Sequence, residues 1–381
     1  MAGKLVLHIG STKTGTSAIQ SALVRNREML RARGVLVPPG RRDEKAVAGR
    51  VTGGNGWMLH GFKSRHRKQP NVALKRLHAR LSEVVADPSC NTVIFSSEAL
   101  GGYDAAILTE LKPVLEQFFD EVQIVYFVRH LTDHAISRYS EYVKRRGMEK
   151  TFPEFAPTYE APFKAALQNY EAVFGREAIT CLLYEDVRDR IFDTFLEPID
   201  VPSGKLSRPN SVTRSLTAGE IEVFRAINAK DFDRIHIAKI IEDFAFNTPK
   251  SGRRYPAIAM DSIKAIEDNH RQVLDFVNER LNGPSRLQTA SDEVLAIARD
   301  EIETGAQASD PDVLLGILES SLRTSDVRVK ELKAKLKKSD VARRKAVKRY
   351  KAAVSQTFTN KLKRKVNRFL GRAKPRPVVR P

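Results

Sequence analysis

Lys4-Leu5-Val6-Leu7-His8-Ile9, followed directly by Gly10-Ser11-Thr12-Lys13-Thr14-Gly15-Thr16-Ser17, is a short apolar run that opens into a loop of glycines, hydroxyls and one lysine. A run this short and this continuously apolar predicts a parallel strand covered on both faces. The residues that follow, Thr16–Arg33, carry helical spacing. Strand, glycine loop and helix in that order aim the helix's first backbone N–H groups at one point, where the helix dipole favours an anion. The glycines admit close approach, and the hydroxyls and Lys13 add donors. The blander alternative is an ordinary Gly/Thr turn that only starts a helix.

Working outward, similar runs recur at Thr92–Ser97, Val122–Val128 and Ala178–Tyr184, with helical patterns between them at Val72–Ala86, Asp133–Arg146 and Phe163–Phe174. That alternation predicts βαβ units in an α/β, three-layer P-loop NTPase-like domain with a central parallel sheet. Beyond Ser211 the strand signals stop. Thr217–Ala229, His236–Asn247 and Asp261–Leu281 read as amphipathic helices, the first with a capping box of Thr217 and Glu220. A polar stretch, Asn282–Asp292, precedes another helix, and Asp310–Leu322 reads as a last one. His8, within the first strand, is expected to pack in the core.

Gly10 and Gly15 have the spacing of a Walker A loop, but Thr16 stands where that motif has its lysine. The lysine sits three residues earlier, at Lys13, displaced from a γ-phosphate towards the bond that joins a terminal group to a 5′ phosphate. A second anion site is expected after Val122–Val128. Arg129 lies at the carboxyl end of that strand, where α/β sheets bind ligands. Ser137 follows eight residues on, two helical turns away, and can return a hydroxyl to the same place.

These residues resemble a family, the sulfotransferases that use 3′-phosphoadenosine 5′-phosphosulfate, and in particular their bacterial carbohydrate-type branch. The family's 5′-phosphosulfate loop reads G-x-P-K-[ST]-G-T-T; here Thr12 replaces the proline and Ser17 the last threonine. Its 3′-phosphate element reads R-x-P-x-D-x-x-x-S-x-Y, matched by Arg129, Asp133, Ser137 and Tyr139, with Leu131 for the proline. Tyr184-Glu185-Asp186 matches a Y-E-D segment whose tyrosine lies against adenine. Arg208 and Asn210 fall where the family closes a late loop over the 3′ phosphate, although the R-K-G triplet of the cytosolic branch is absent. The resemblance therefore implies donor contacts from Lys13, Thr14, Gly15, Thr16, Ser17, Arg129, Ser137, Tyr184, Arg208 and Asn210. It implies a saccharide or glycolipid acceptor.

Sulfuryl transfer is an in-line displacement in which charge grows on the bridging oxygen of the leaving nucleotide, and the acceptor must lose a proton. Lys13 is placed for the first task. Glu98, at the end of Thr92–Ser97, stands where the cytosolic branch has a histidine and is the expected base; a turn-capping or ion-paired glutamate is the alternative. His60, in the Gly-rich loop Asn55-Gly56-Trp57-Met58-Leu59-His60-Gly61, is the second candidate. No ligand spacing for a metal appears, and this chemistry needs none. Two other readings stay open: a nucleotide or small-molecule kinase on a related fold, and a non-catalytic nucleotide-binding protein that acts through a basic tail.

That tail accounts for the whole net charge of +19. Residues 322–381 hold 22 Lys/Arg against 3 Asp/Glu, leaving 43 basic and 43 acidic residues before them. We therefore expect two parts, 1–321 as the α/β domain with its C-terminal helices and 322–381 as a basic helical tail, disordered at its end. Val354, Phe358, Leu362, Val366 and Phe369 follow an i, i+4 helical stripe, with Lys361, Lys363, Arg364, Lys365, Arg368 and Arg372 along and around it, the pattern expected of a helix attracted to anionic lipid. A heptad-like set, Val329, Leu332 and Leu336, suits self-association. No nucleic-acid recognition motif accompanies the charge, so nucleic acid is not the expected partner. With two cysteines, no apolar run of ~18 residues and no signal-peptide pattern, the expected location is the cytoplasm, peripheral at the inner membrane surface.

Overall fold

The computed structural model places five strands in one parallel sheet. It describes residues 2–48, 52–59, 62, 69–199, 201, 206, 215–229, 234–247, 255–256, 258–304, 336 and 338–339. The strands are β1 (Ala2–His8), β2 (Val35–Leu36), β3 (Thr92–Ser96), β4 (Phe119–Val128) and β5 (Ile179–Leu183), and their order across the sheet is β2-β3-β1-β4-β5. β1 is the centre: Leu5 is in register with Val93 on one side and with Val122 on the other.

The continuous apolarity of β1 reflects coverage on both faces. Leu5 and Leu7 join the larger core with Phe95, Ile124 and Tyr126, against the helices Pro70–Val84, Ala105–Glu116 and Phe163–Phe174. Val6, on the opposite face, joins Ile94, Val125 and Phe127 in a second core with Ile19 and Leu23 of the helix Thr16–Arg25 and Ile191 and Phe195 of the helix Ile191–Leu196. Helix, sheet and helix thus make the three layers, and each fully buried aliphatic side chain contributes about 2 kcal/mol. His8 is fully buried, and burial pushes its imidazole down to about 3, so it stays neutral with Nδ1 2.8 Å from Ser96 Oγ.

The chain departs from the sequence reading in places. The first helical pattern breaks at Asn26 into Thr16–Arg25 and Arg27–Arg31. The helix Ala105–Glu116, with Pro113 inside it, and the two-residue β2 were not foreseen. The helix Ala218–Asn228 carries the expected capping box of Thr217 and Glu220. The helices Arg234–Asn247, Met260–Asn278 and Asp292–Thr304 follow. The polar stretch after Met260–Asn278 is structural: Asn282 N–H donates to the Cys181 carbonyl (2.7 Å), and its Oδ1 accepts from Cys181 N–H (2.8 Å), closing the β5 edge.

The chain divides into two compact units, Met1–Ile317 and Leu318–Pro381. The expected helix Asp310–Leu322 and the amphipathic pattern from Val354 onward lie outside the described residues. Among the described residues, no helix is long and apolar enough to cross a membrane.

Candidate anion-binding site

β2 and β3 lie on one side of β1, and the chain then crosses to β4 and β5 on the other. The strand order therefore reverses between β1 and β4, which opens a crevice at their carboxyl ends. Both predicted anion loops leave those two ends: Gly10–Gly15 after β1 and Arg129–His130 after β4.

The first loop is tightly wound. Thr14 and Thr16 each donate a hydroxyl hydrogen bond to the Ser11 carbonyl, at 2.8 and 2.9 Å. Gly15 is left-handed (φ 80°) and begins the helix Thr16–Arg25 without a side-chain cap; Ala18 N–H donates to the Gly15 carbonyl at 2.9 Å, and the helix start ahead of it suits an anion. A Cβ at Gly15 would come within 2.2 Å of Ile191 Cδ1 and 3.0 Å of the Tyr184 ring. Lys13 is also left-handed (φ 69°), uncommon for a residue with a Cβ and a sign of a loop held by its surroundings. Its ammonium pairs with Glu141 at 3.0 Å.

The surroundings that hold it are one face of the helix Leu131–Arg146. His134 Nε2 lies 2.9 Å from the Thr12 carbonyl, an acceptor only, so Nε2 carries the proton and Nδ1 accepts from the Tyr159 hydroxyl at 2.6 Å. Burial first, then Arg129 and Arg138, push His134 down to about 3, which keeps this neutral tautomer. Arg138 donates to the Thr12 hydroxyl at 2.8 Å. Glu141, one turn further, takes Lys13. Sequence reasoning missed His134, Arg138 and Glu141; the only available signal was their i, i+4, i+7 spacing from His134.

Arg129 ties the two loops together. Its Nη1 donates to Ser137 Oγ at 2.7 Å and to the Lys13 carbonyl at 3.2 Å, and its Nε pairs with Glu185 at 3.1 Å. Its guanidinium carbon lies 5.2 Å from the Tyr184 ring centroid, so Tyr184 sits between Arg129 and Gly15. Burial raises the Glu185 carboxyl, with Arg129 opposing. The other two motif positions serve the scaffold. Asp133 accepts from the Ser291 N–H and hydroxyl, both at 2.9 Å, and Tyr139 is buried with its hydroxyl on the Lys150 carbonyl.

Glu98 begins a 3₁₀ turn, Glu98–Gly102, just past β3. Burial, and then Glu141, push its carboxyl up to about 7, while Lys13, Arg145 and Arg138 pull the other way. It therefore shares the electrostatic neighbourhood of Lys13. Lys144 belongs to it too, held down to about 8 by burial and then by Lys13 and Arg145. The loop at 52–59 lies across the end of β3: Asn55 bridges the Ile94 carbonyl (2.8 Å) and the Ser96 N–H (2.7 Å). Gly54 (φ 72°) runs so close that a Cβ there would sit 2.0 Å from the Ser96 carbonyl oxygen. His60, Arg208 and Asn210 lie outside the described residues. Among the described residues no cluster of three His, Cys, Asp or Glu side chains could hold a metal ion.

No protein-family model matches the chain, and no curated protein matches it. Among solved structures it is similar to a sulfotransferase from Alicyclobacillus acidocaldarius, 17% identical over 60% of this chain and 93% of that one, with a TM-score of 0.35. It is also similar to the sulfotransferase domain from the curacin biosynthetic pathway, 13% identical over 79% of this chain and 97% of that one, with a TM-score of 0.28.

Proposed function

We propose that the chain is a sulfotransferase, taking the sulfuryl group of 3′-phosphoadenosine 5′-phosphosulfate and passing it to a hydroxyl or amine of a saccharide or glycolipid. The observation that carries this reading is the Arg129 bridge. The Arg129 guanidinium, from the second loop, reaches both Ser137 of the helix Leu131–Arg146 that follows it and the Lys13 carbonyl of the first loop, so the elements matching the two ends of that donor meet at one crevice. The uncapped start of Thr16–Arg25 fits a 5′-phosphosulfate, Arg129 and Ser137 fit a 3′ phosphate, and Tyr184 offers a ring between them.

In the transfer, the acceptor oxygen or nitrogen forms a bond to sulfur as the bond from sulfur to the 5′-phosphate oxygen breaks. Lys13 would neutralise the charge arriving on that oxygen. Glu98 would take the acceptor's proton; a carboxyl near 7 is a far better acceptor of it than an ordinary glutamate, and is still substantially ionised at neutral pH. The displaced product is 3′-phosphoadenosine 5′-phosphate.

Calorimetric titration with that product and with ATP tests the reading. The 3′-phosphorylated nucleotide should bind at least tenfold more tightly. Equal affinity, or a preference for ATP, would return the chain to the kinase alternative.

A further inference from the structure

Trp57 is the chain's single tryptophan. Its indole N–H donates to the Pro39 carbonyl at 3.3 Å, and two guanidiniums, those of Arg41 and Arg80, each lie with their central carbon 4.3 Å from its ring centroid. The two cations are therefore no more than twice that distance apart. Two like charges held at one ring repel one another, while each is attracted to the indole face. Among the described residues neither arginine is joined to a carboxylate. Asp43, two residues from Arg41, is already committed: it pairs with Arg27 at 2.6 Å and accepts from the Gly40 N–H. A guanidinium that lies against a ring keeps its in-plane N–H donors free, and those donors form a fork for a carboxylate or sulfate.

The stack is placed beside the proposed chemistry. Gly56, the residue before Trp57, donates its N–H to the Ser96 carbonyl at 3.2 Å and packs against the Ser97 side chain. Glu98 is the next residue after Ser97. Trp57 thus follows a residue that is held at the end of β3, two positions in sequence before the expected base.

We propose that Arg41, Trp57 and Arg80 form an acceptor subsite for an acidic sugar residue, one bearing a carboxylate or a sulfate. This rests on the sulfotransferase reading and names its acceptor class. Nothing in the donor site uses these three residues.

The test uses full-length protein and the emission of Trp57 as a local reporter. Three tetrasaccharides are titrated: one from hyaluronan, with carboxylates only; one from heparin, with sulfates as well; and neutral chitotetraose. At least one acidic probe should shift Trp57 emission and bind at least tenfold more tightly than the neutral one. Comparison of the first two identifies the favoured oxyanion. In the variant Arg41→Gln/Arg80→Gln the preference should vanish, while affinity for 3′-phosphoadenosine 5′-phosphate is unchanged, which also reports that the variant folds. Equal binding of acidic and neutral probes, or a preference that survives the double substitution, overturns the subsite. If the nucleotide fails to bind wild type, the sulfotransferase reading falls. Arginine-dependent preference for the acidic sugar would then still support this subsite, and its absence would still overturn it.

Discussion

Lys13 and the two glutamates near it form a coupled set, with Lys13 joined to Glu141 and both charges acting on Glu98. Replacing Lys13 with Ala should lower turnover by roughly 10²–10³-fold, the scale of losing one electrostatic stabiliser, while nucleotide still binds. Full turnover by a variant with donor bound would remove Lys13 from the chemistry. Glu98 makes a prediction in pH. A general base works ionised, so kcat/KM should rise with pH through an acid limb centred near 7, its raised value. Glu98→Gln should erase the limb together with most activity, with nucleotide affinity intact. Glu141→Gln should slide the limb to lower pH, because the Glu141 charge is one of the causes that raise Glu98. A pH–rate profile unmoved by either change would assign the base elsewhere, with His60 the next candidate.

At the scale of elements, the helix Leu131–Arg146 is the clamp on the first loop. The family's loop has a proline where this chain has Thr12, and a proline stiffens the backbone by fixing φ. Here two hydrogen bonds from that helix supply the constraint, His134 to the Thr12 carbonyl and Arg138 to its hydroxyl. Arg138→Ala should therefore loosen the loop and weaken binding of 3′-phosphoadenosine 5′-phosphate about tenfold, in line with the ~1.5–3 kcal/mol of a charged hydrogen bond reduced by partial exposure. Adding Thr12→Pro to that variant should restore much of the loss. Calorimetry on wild type, the single and the double variant decides it, and unchanged affinity in Arg138→Ala would show that the loop holds its own shape.

For the whole molecule, the division of charge has a consequence that can be measured. Cutting the chain after Ser321 removes all of the +19 excess while leaving both loops and all five strands. We expect the shortened protein to fold and bind nucleotide but to lose attachment to anionic vesicles, each nearby Lys or Arg contributing ~1 kcal/mol. The attachment should weaken steeply with salt. Co-sedimentation of both proteins with phosphatidylserine vesicles at low and high salt is the check. A full-length protein that ignores the vesicles at low salt would end the membrane idea, and an unfolded truncation would make the tail part of the core.

Local chemistry determined what could be read without coordinates. The four longer strands were legible because a strand buried on both faces must be apolar throughout, and the segments that follow β1 and β4 stood out because glycines and hydroxyls after the first, and Arg129 and Ser137 eight residues apart after the second, interrupt those apolar runs. Tyr184 and Glu98 were legible as strand ends. The clamp was not: His134, Arg138 and Glu141 acquire their roles only because the parallel sheet sets β4 beside β1, which brings a helix that starts at residue 131 over a loop at residue 12. Asp133 and Tyr139 show the converse. They fit the motif, yet their hydrogen bonds go to Ser291, 158 residues away, and to Lys150, just beyond the end of the same helix, contacts that the motif spacing does not encode. The raised carboxyl of Glu98 belongs to the same class. A glutamate's charge state depends on the burial and neighbouring charges around it, and both are assembled only when the chain folds.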